Sequence, residues 1–187
     1  MVYNMSQNST LAEFLKQPET NPPQEYIEGQ IIQKPMPQGE HSAIQTELAS
    51  AINQTLKPNQ IARAFCELRC TFGERSIVPD IAVFLREHIP RQTDGKIANT
   101  FSLAPDWTIE ILSPQQNQTQ VTKHILHCLK HQTELGWLIN PSEESVFVYY
   151  QNQRLEIFDD QAVNLPVPSF AASFKITVGE LFHWLVD

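Results

Sequence analysis

The segment 107–114, WTIEILSP, limits what this chain can fold into more than any other, because it is an apolar strand that carries one acidic residue. The two-residue period of a strand places Trp107, Ile109 and Ile111 on one face. Glu110 then lies on the other face, among apolar neighbours. A carboxylate in such surroundings is costly to desolvate unless a cation, a proton or a hydrogen-bond donor accompanies it. The sequence therefore predicts a buried strand whose acid has a specific partner.

Asp80 has the same setting thirty positions earlier, in the apolar segment 76–84, SIVPDIAVF. Two strands that each carry one carboxylate can bring Asp80 and Glu110 together if they are neighbours in a sheet. Paired carboxylates are hard oxygen ligands, which suit Mg²⁺ or Mn²⁺ rather than zinc. The residues alone leave a second interpretation open, in which both acids lie at strand ends and reach water or an arginine.

Residues 61–72 alternate in the same way and predict one long strand. Its polar face carries Glu67 and Arg69, which point in the same direction. Either these two side chains form a surface ion pair worth well under about 1 kcal/mol, or Glu67 is a third carboxylate of the site and Arg69 supports it. The loop 86–106, between the two acidic strands, is interpreted either as a substrate-facing flap or as a plain surface excursion.

The apolar period of 3.6 residues predicts a first helix from Ser42 to about position 56. Ser42 and Gln45 have the spacing of a capping box at the start of this helix. His41 comes just before the predicted cap. We interpret it as a capping or solvated residue rather than as a ligand.

A second helix is predicted over about residues 120–131, where Lys123 lies nearly opposite the centre of the apolar arc and His124 lies at its boundary. His124, His127 and His131 form one stripe along this helix. The spacing can present imidazoles to a transition metal. Such stripes usually face solvent, however, and no fourth ligand is evident in the sequence.

The length of 187 residues fits one domain, which we predict over residues 25–187, after a mobile N-terminal segment, 1–24. The net charge of −8 argues against sequence-blind nucleic-acid binding, although residues 57–96 carry seven basic and five acidic side chains. No apolar run approaches the roughly 20 residues of a membrane helix. The first ten residues also lack the layout of a signal peptide. We therefore expect a cytoplasmic protein that does not contact a membrane.

Several segments, in their order along the chain, closely resemble the Uma family of putative restriction endonucleases, formerly a domain of unknown function. They are 25–40, the stretch from FCELR at 65–69 to VPDIAV at 78–83, EILSP at 110–114, and LGWLINP at 135–141. The resemblance covers about residues 25–185. This family belongs to the PD-(D/E)xK nuclease superfamily.

The resemblance implies an α/β (α+β) fold with a restriction-endonuclease-like core, in which helices flank a central mixed β-sheet. It also implies an Mg²⁺-dependent (or Mn²⁺-dependent) endonuclease that hydrolyses phosphodiester bonds in DNA. Asp80 and Glu110 match the two acids that hold the divalent metal in the superfamily, and the backbone carbonyl of Ile111 is the expected further ligand. The metal would activate a water and neutralise charge on the scissile phosphate. Homodimers are common in this family, so a homodimer is also expected.

The sequence departs from the superfamily at the catalytic lysine. The position that would carry this lysine after the second acid is Leu112. Family members usually carry the lysine on the following helix, where counting back from Trp137 gives His124, with Lys123 beside it. Either residue is therefore a candidate for the catalytic cation or base. The departure leaves an alternative function, a nuclease-fold protein with weakened catalysis that acts as a nucleic-acid-binding or interaction module.

Overall fold

A computed structural model describes residues 9–114, 116–152 and 154–186 of the chain. Its described helices are α1 (Leu11–Phe14), α2 (Gly39–Leu56), α3 (Gln118–Lys130) and α4 (Val178–His183). Its described strands are β1 (Gln24–Ile27), β2 (Gln30–Gln33), β3 (Ala62–Cys66), β4 (Cys70–Phe72), β5 (Arg75–Ile77), β6 (Ile81–Leu85), β7 (Trp107–Ile111), β8 (Leu135–Asn140), β9 (Ser145–Tyr150) and β10 (Leu155–Phe158).

A six-stranded sheet with the order β10-β9-β8-β7-β6-β3 forms the centre of the molecule. Strands β7 and β8 run parallel, whereas the other neighbouring pairs are antiparallel. Helices α2 and α4 cover one face, and α3 packs on the other. A smaller sheet with the order β2-β1-β5-β4 completes the fold. The predicted central mixed sheet flanked by helices is confirmed.

The alternation of residues along β7 decides what each face of the central sheet meets. Trp107, Ile109 and Ile111 are buried in the main core together with α2 and α4. The rings of Trp107 and Trp137 meet edge to face in this core, with centroids 4.8 Å apart. Fully burying apolar side chains stabilises the fold by about 1.5–3 kcal/mol each, so this face holds β7 firmly. Glu110 lies on the opposite face of β7, where it is also buried.

Residues 61–72 do not form a single strand, so the prediction of one long strand is wrong. Strand β3 ends at Cys66, and β4 begins at Cys70 in the smaller sheet. Glu67, between the two strands, has a φ of +50°, a left-handed conformation that a continuous strand does not contain. The N–H of Glu67 donates a hydrogen bond of 3.2 Å to the carbonyl of Asp80. The break therefore places Glu67 beside the start of β6.

Helix α2 begins at Gly39, with Gln38 as its N-cap residue, so the predicted start at Ser42 is wrong and Ser42 is not the cap. His41 lies inside the first turn, where its side chain is buried. This position corrects the interpretation of His41 as a capping or solvated residue. The side chain faces the start of β6, and its contacts belong to the site described below.

Helix α3 agrees with its prediction, and His124 lies half-buried at the edge of its apolar face. The histidine stripe, however, does not face solvent. His127 is buried and its ring stacks on Phe72, with centroids 4.8 Å apart. The turn after β4 lies so close that a Cβ at Gly73, which has a φ of +53°, would come 2.3 Å from Nε2 of His131. His127 and His131 therefore pack α3 against the smaller sheet.

The N-terminal segment begins, in the described part, with a capping box at Thr10 that opens α1. Residues 1–8 lie outside the described residues, and the mobility of segment 1–24 stays a prediction. The described helices include none with the length and apolarity needed to span a membrane. Leu155 and Ile157 are exposed on the edge strand β10. The homodimer expected from the sequence stays a prediction.

Candidate active site

The predicted acidic strand 76–84 is split between β5 of the smaller sheet and β6 of the central sheet, and Asp80 directly precedes β6. Glu110 lies on the neighbouring strand β7, at the same end of the central sheet. Strands β6 and β7 are antiparallel, and their pairing reaches Ile81 opposite Ile109. The next position of this register places Asp80 opposite Glu110. The N–H of Ile111 donates a hydrogen bond of 2.7 Å to Oδ2 of Asp80, and both carboxyl groups are buried. The structure thus brings together the two acids that were expected to share one site.

Two basic side chains that the sequence analysis did not assign to the site hold Asp80 in place. Nζ of Lys34, which directly follows β2, lies 2.7 Å from Oδ1 of Asp80 and donates a second hydrogen bond of 2.7 Å to the carbonyl of Val78. Nε2 of His41 lies 3.1 Å from Oδ2 of Asp80. Both oxygens of this carboxylate therefore have a basic partner. No local pattern in the connector after β2 points to this role for Lys34.

Glu67 lies at the margin of this cluster. Its Oε1 is 3.7 Å from Nζ of Lys34 and accepts a hydrogen bond of 3.2 Å from Nε2 of Gln45. The same amide of Gln45 donates to the carbonyl of Asp80 at 2.8 Å. His41 and Gln45 are four residues apart on α2, a spacing that puts both on one face of a helix. That spacing is the sequence signal that could have assigned them to one site.

Charge and burial act in opposite directions on the groups of this cluster. Burial by itself lowers the pKa of Lys34, but the carboxylates around it, foremost Asp80 and Glu110, raise that pKa well above its usual value. Burial by itself raises the pKa of Asp80, but Lys34 and His41 hold it well below its usual value. The pKa of Glu110 is raised far above normal, first by burial and then by the negative charge of Asp80. Lys34 and Asp80 therefore stay charged, and Glu110 binds a proton readily.

The two candidates on α3 lie differently from Lys34. Lys123 is exposed, so the structure does not bring it into the cluster. Nε2 of His124 lies 3.7 Å from Oε2 of Glu25, a buried acid of β1. Burial lowers the pKa of His124, and the charge of Glu25 only partly offsets that effect. Glu25 is fixed in turn, because its Oε1 accepts a hydrogen bond of 2.7 Å from the N–H of Val78.

A cleft of about 420 Å³ opens beside Asp80 and Lys34. His41, Glu67 and Arg69 also line it, together with the N-terminal residues 19–23. Arg69 pairs with Glu19, which lines the same cleft. The surface ion pair between Glu67 and Arg69 that one interpretation of the sequence offered is therefore not formed.

A family model described as "Uma2: Putative restriction endonuclease" matches residues 11–179. The chain belongs to the Uma2 family. The resemblance seen in the sequence is thereby confirmed. A crystal structure of "a putative nuclease belonging to DUF820" from Anabaena variabilis, at 1.96 Å resolution, is 63% identical in sequence to this Uma2 chain. The match covers 95% of this chain and 99% of that one, with a TM-score of 0.93. No curated protein matches the chain.

The donor set of this Uma2 site fits a divalent ion of the magnesium type. Among the described residues, Oε1 of Glu110 is buried and has no hydrogen-bond partner, which is costly unless a cation or a proton meets it. Asp80 supplies a second carboxylate. No cluster of three or more His, Cys, Asp or Glu that could hold a metal occurs within residues 9–114, 116–152 and 154–186. Mg²⁺ is usually held by one or two carboxylates with water and substrate phosphates, so two acids are sufficient.

Proposed function

We propose that this Uma2 protein is an endonuclease that uses Mg²⁺ or Mn²⁺ to hydrolyse phosphodiester bonds in DNA. The observation that carries the proposal is the pair of buried carboxyl groups, Asp80 just before β6 and Glu110 on the adjacent strand β7, beside a cleft that contains a lysine. The family description supports nuclease activity. The superfamily resemblance supports the dependence on a divalent ion.

Asp80, Glu110 and the backbone carbonyl of Ile111 are the proposed ligands of the ion. When bound, such an ion lowers the pKa of a water and stabilises charge on the scissile phosphate. The N–H of Ile111 and the imidazole of His41 already orient Asp80. Hydrogen bonds of this kind orient a ligand residue before an ion binds and increase the affinity of the site for the ion. Gln45 has the same role for Glu67, the proposed third carboxylate.

Lys34 is the proposed catalytic cation, in place of a lysine on α3. Its ammonium lines the cleft and lies 2.7 Å from Asp80. Lys123, in contrast, is exposed, and His124 contacts Glu25. Because its pKa is raised, Lys34 remains charged and can stabilise the negative charge that develops on the phosphate. Lys123 and His124 are the alternative candidates for this role.

DNA is the proposed substrate, and its binding would depend on local cations rather than on the whole charge of the chain. A net charge of −8 disfavours general attraction of polyanions. Lys34 and Arg69 both line the cleft, however, where Lys34 is paired with Asp80 and Arg69 with Glu19. Phosphates of the DNA would contact these two cations in place of their acidic partners, close to Asp80.

Incubation of the purified protein with supercoiled plasmid and Mg²⁺ or Mn²⁺ tests this function. We expect nicked plasmid from the wild type and a loss of at least about 100-fold in Asp80→Ala, because a metal ligand is gone. Asp94→Ala is the matched control, since Asp94 is an exposed acid paired with Lys96, and it should cleave like the wild type.

Cleavage that is unchanged by Asp80→Ala, or no cleavage of plasmid or labelled RNA under any of these conditions, would refute the proposal. Cleavage of RNA but not of plasmid would show that the substrate is RNA rather than DNA. A protein that binds DNA without cutting it, and keeps its affinity in Glu110→Gln, would instead be a nuclease-fold binding module.

A further inference from the structure

The guanidinium group of Arg69 is held on three sides by the fold. Nη1 donates a hydrogen bond of 3.0 Å to the hydroxyl of Ser76, and Nη2 donates one of 3.0 Å to the carbonyl of Gln24. Cζ lies 5.1 Å from the centre of the Phe14 ring, which is a cation–π distance. Strands β1 and β5 and helix α1 therefore orient one planar cation.

The remaining edge of Arg69 is occupied by the carboxylate of Glu19. Nε and Nη2 of Arg69 lie 2.8 and 2.6 Å from the two oxygens of Glu19, a bidentate arrangement. The side chain of Arg69 is 19% exposed, whereas that of Glu19 is 70% exposed. The arginine is thus the fixed partner and the glutamate the replaceable one. The same planar fork suits two oxygens of a phosphate group.

Arg69 and Glu19 line the same cleft as Asp80 and Lys34. A strand that brings one phosphodiester group to Asp80 also brings its neighbouring phosphates to this cleft. We propose that Arg69 binds a backbone phosphate next to the scissile one, and that Glu19 holds this phosphate position in the free protein. The inference rests on the proposed nuclease function and names a part of its substrate site.

The chain contains a matched control pair for this site. Arg75 pairs with Glu28, and their side chains are 19% and 75% exposed, close to the values for Arg69 and Glu19. Arg75 and Glu28 line a different cavity, beside His127 and His131. Substitutions there remove the same charges from surroundings of similar exposure without touching the proposed phosphate position.

Fluorescence anisotropy of a short fluorescein-labelled DNA oligonucleotide, with Ca²⁺ in place of Mg²⁺, measures the affinity of each variant. Glu19→Gln should tighten binding about threefold, because the exposed Glu19 carboxylate no longer competes with the DNA phosphate for Arg69. Arg69→Gln should weaken binding about tenfold. It should also reduce the steepness of log K against log salt concentration by about 1, which corresponds to the loss of one phosphate contact. Arg69→Lys keeps the positive charge but not the planar fork, so its affinity should lie between those of the wild type and Arg69→Gln. Glu28→Gln and Arg75→Gln should bind like the wild type.

The double variant separates direct competition from a general change of charge. In the Arg69→Gln background, Glu19→Gln should have no effect on affinity. Equal tightening in both backgrounds would overturn the proposal, and so would wild-type affinity in Arg69→Gln and Arg69→Lys or a wild type that does not bind the oligonucleotide. If Arg69→Gln does not fold, Glu19→Gln and Arg69→Lys decide the question. Asp80-dependent nicking of plasmid is a separate result, so the nuclease function can stand if this phosphate site fails.

Discussion

Replacing Lys34 by methionine removes the ammonium group from Asp80 and keeps an unbranched side chain. The two charged atoms are 2.7 Å apart, in side chains that are only 11% and 4% exposed. Two unit charges at this distance attract each other by about 6 kcal/mol at an effective dielectric constant of about 20. Desolvation of both groups offsets part of this energy. We therefore expect Lys34→Met to lower the free energy of unfolding without metal by about 3 kcal/mol, and the melting temperature by about 6–12 °C.

A divalent ion should reverse much of this loss, because it supplies the positive charge that Lys34 supplied. In the wild type the ion has to share Asp80 with the ammonium, whereas the variant frees the Oδ1 oxygen and leaves Oδ2 with His41 and the N–H of Ile111. We expect the Kd for Mn²⁺ from calorimetry to fall about tenfold in Lys34→Met, which corresponds to about 1.4 kcal/mol. Saturating Mn²⁺ should also raise the melting temperature of the variant more than that of the wild type. DNA cleavage should fall at the same time, since the proposed catalytic cation is absent.

Lys96→Met is the matched control for this experiment. Nζ of Lys96 lies 2.8 Å from Asp94, but the two side chains are 78% and 47% exposed. We expect this change to cost less than about 1 kcal/mol and to leave Mn²⁺ binding unaltered. Equal stabilisation of the wild type and Lys34→Met by Mn²⁺ would refute the reasoning that the ion and Lys34 share Asp80.

Two further variants test other parts of the structure. Glu110→Gln should change the free energy of unfolding without metal by less than about 1 kcal/mol, because an amide resembles the protonated acid. It should weaken Mn²⁺ binding, measured by calorimetry, more than about tenfold. Unchanged Mn²⁺ binding would contradict a ligand role for Glu110. His127 should make stability depend on pH, because burial lowers its pKa to about 4 in the folded protein. As pH falls from about 6.5 to about 4, only the unfolded chain takes up this proton, so the wild type should lose about 1–2 kcal/mol more than His127→Gln in denaturant titrations. The same loss in both proteins would exclude His127 as the cause.

Local periodicity in the sequence is enough to predict part of the fold and of the candidate site. Alternation along β7 separated the core face of Trp107 from the face of Glu110, and the 3.6-residue period located α3 with His124 at its boundary. The order of the family motifs then selected Asp80 and Glu110 among the acids of the chain. These features depend on neighbours a few positions away, which the sequence displays directly.

Contacts between elements that are distant in the sequence set which cations surround the acids and where the backbone leaves the strand conformation. Lys34 and Asp80 are 46 positions apart and meet only because the β1–β2 hairpin pairs with β5 beside the start of β6. The turn at Glu67 likewise interrupts a regular alternation, because β3 and β4 belong to different sheets. A periodic pattern reports which face of an element is buried but not which distant element covers it. Long-range ion pairs are therefore set by packing between elements, and no local pattern predicts them.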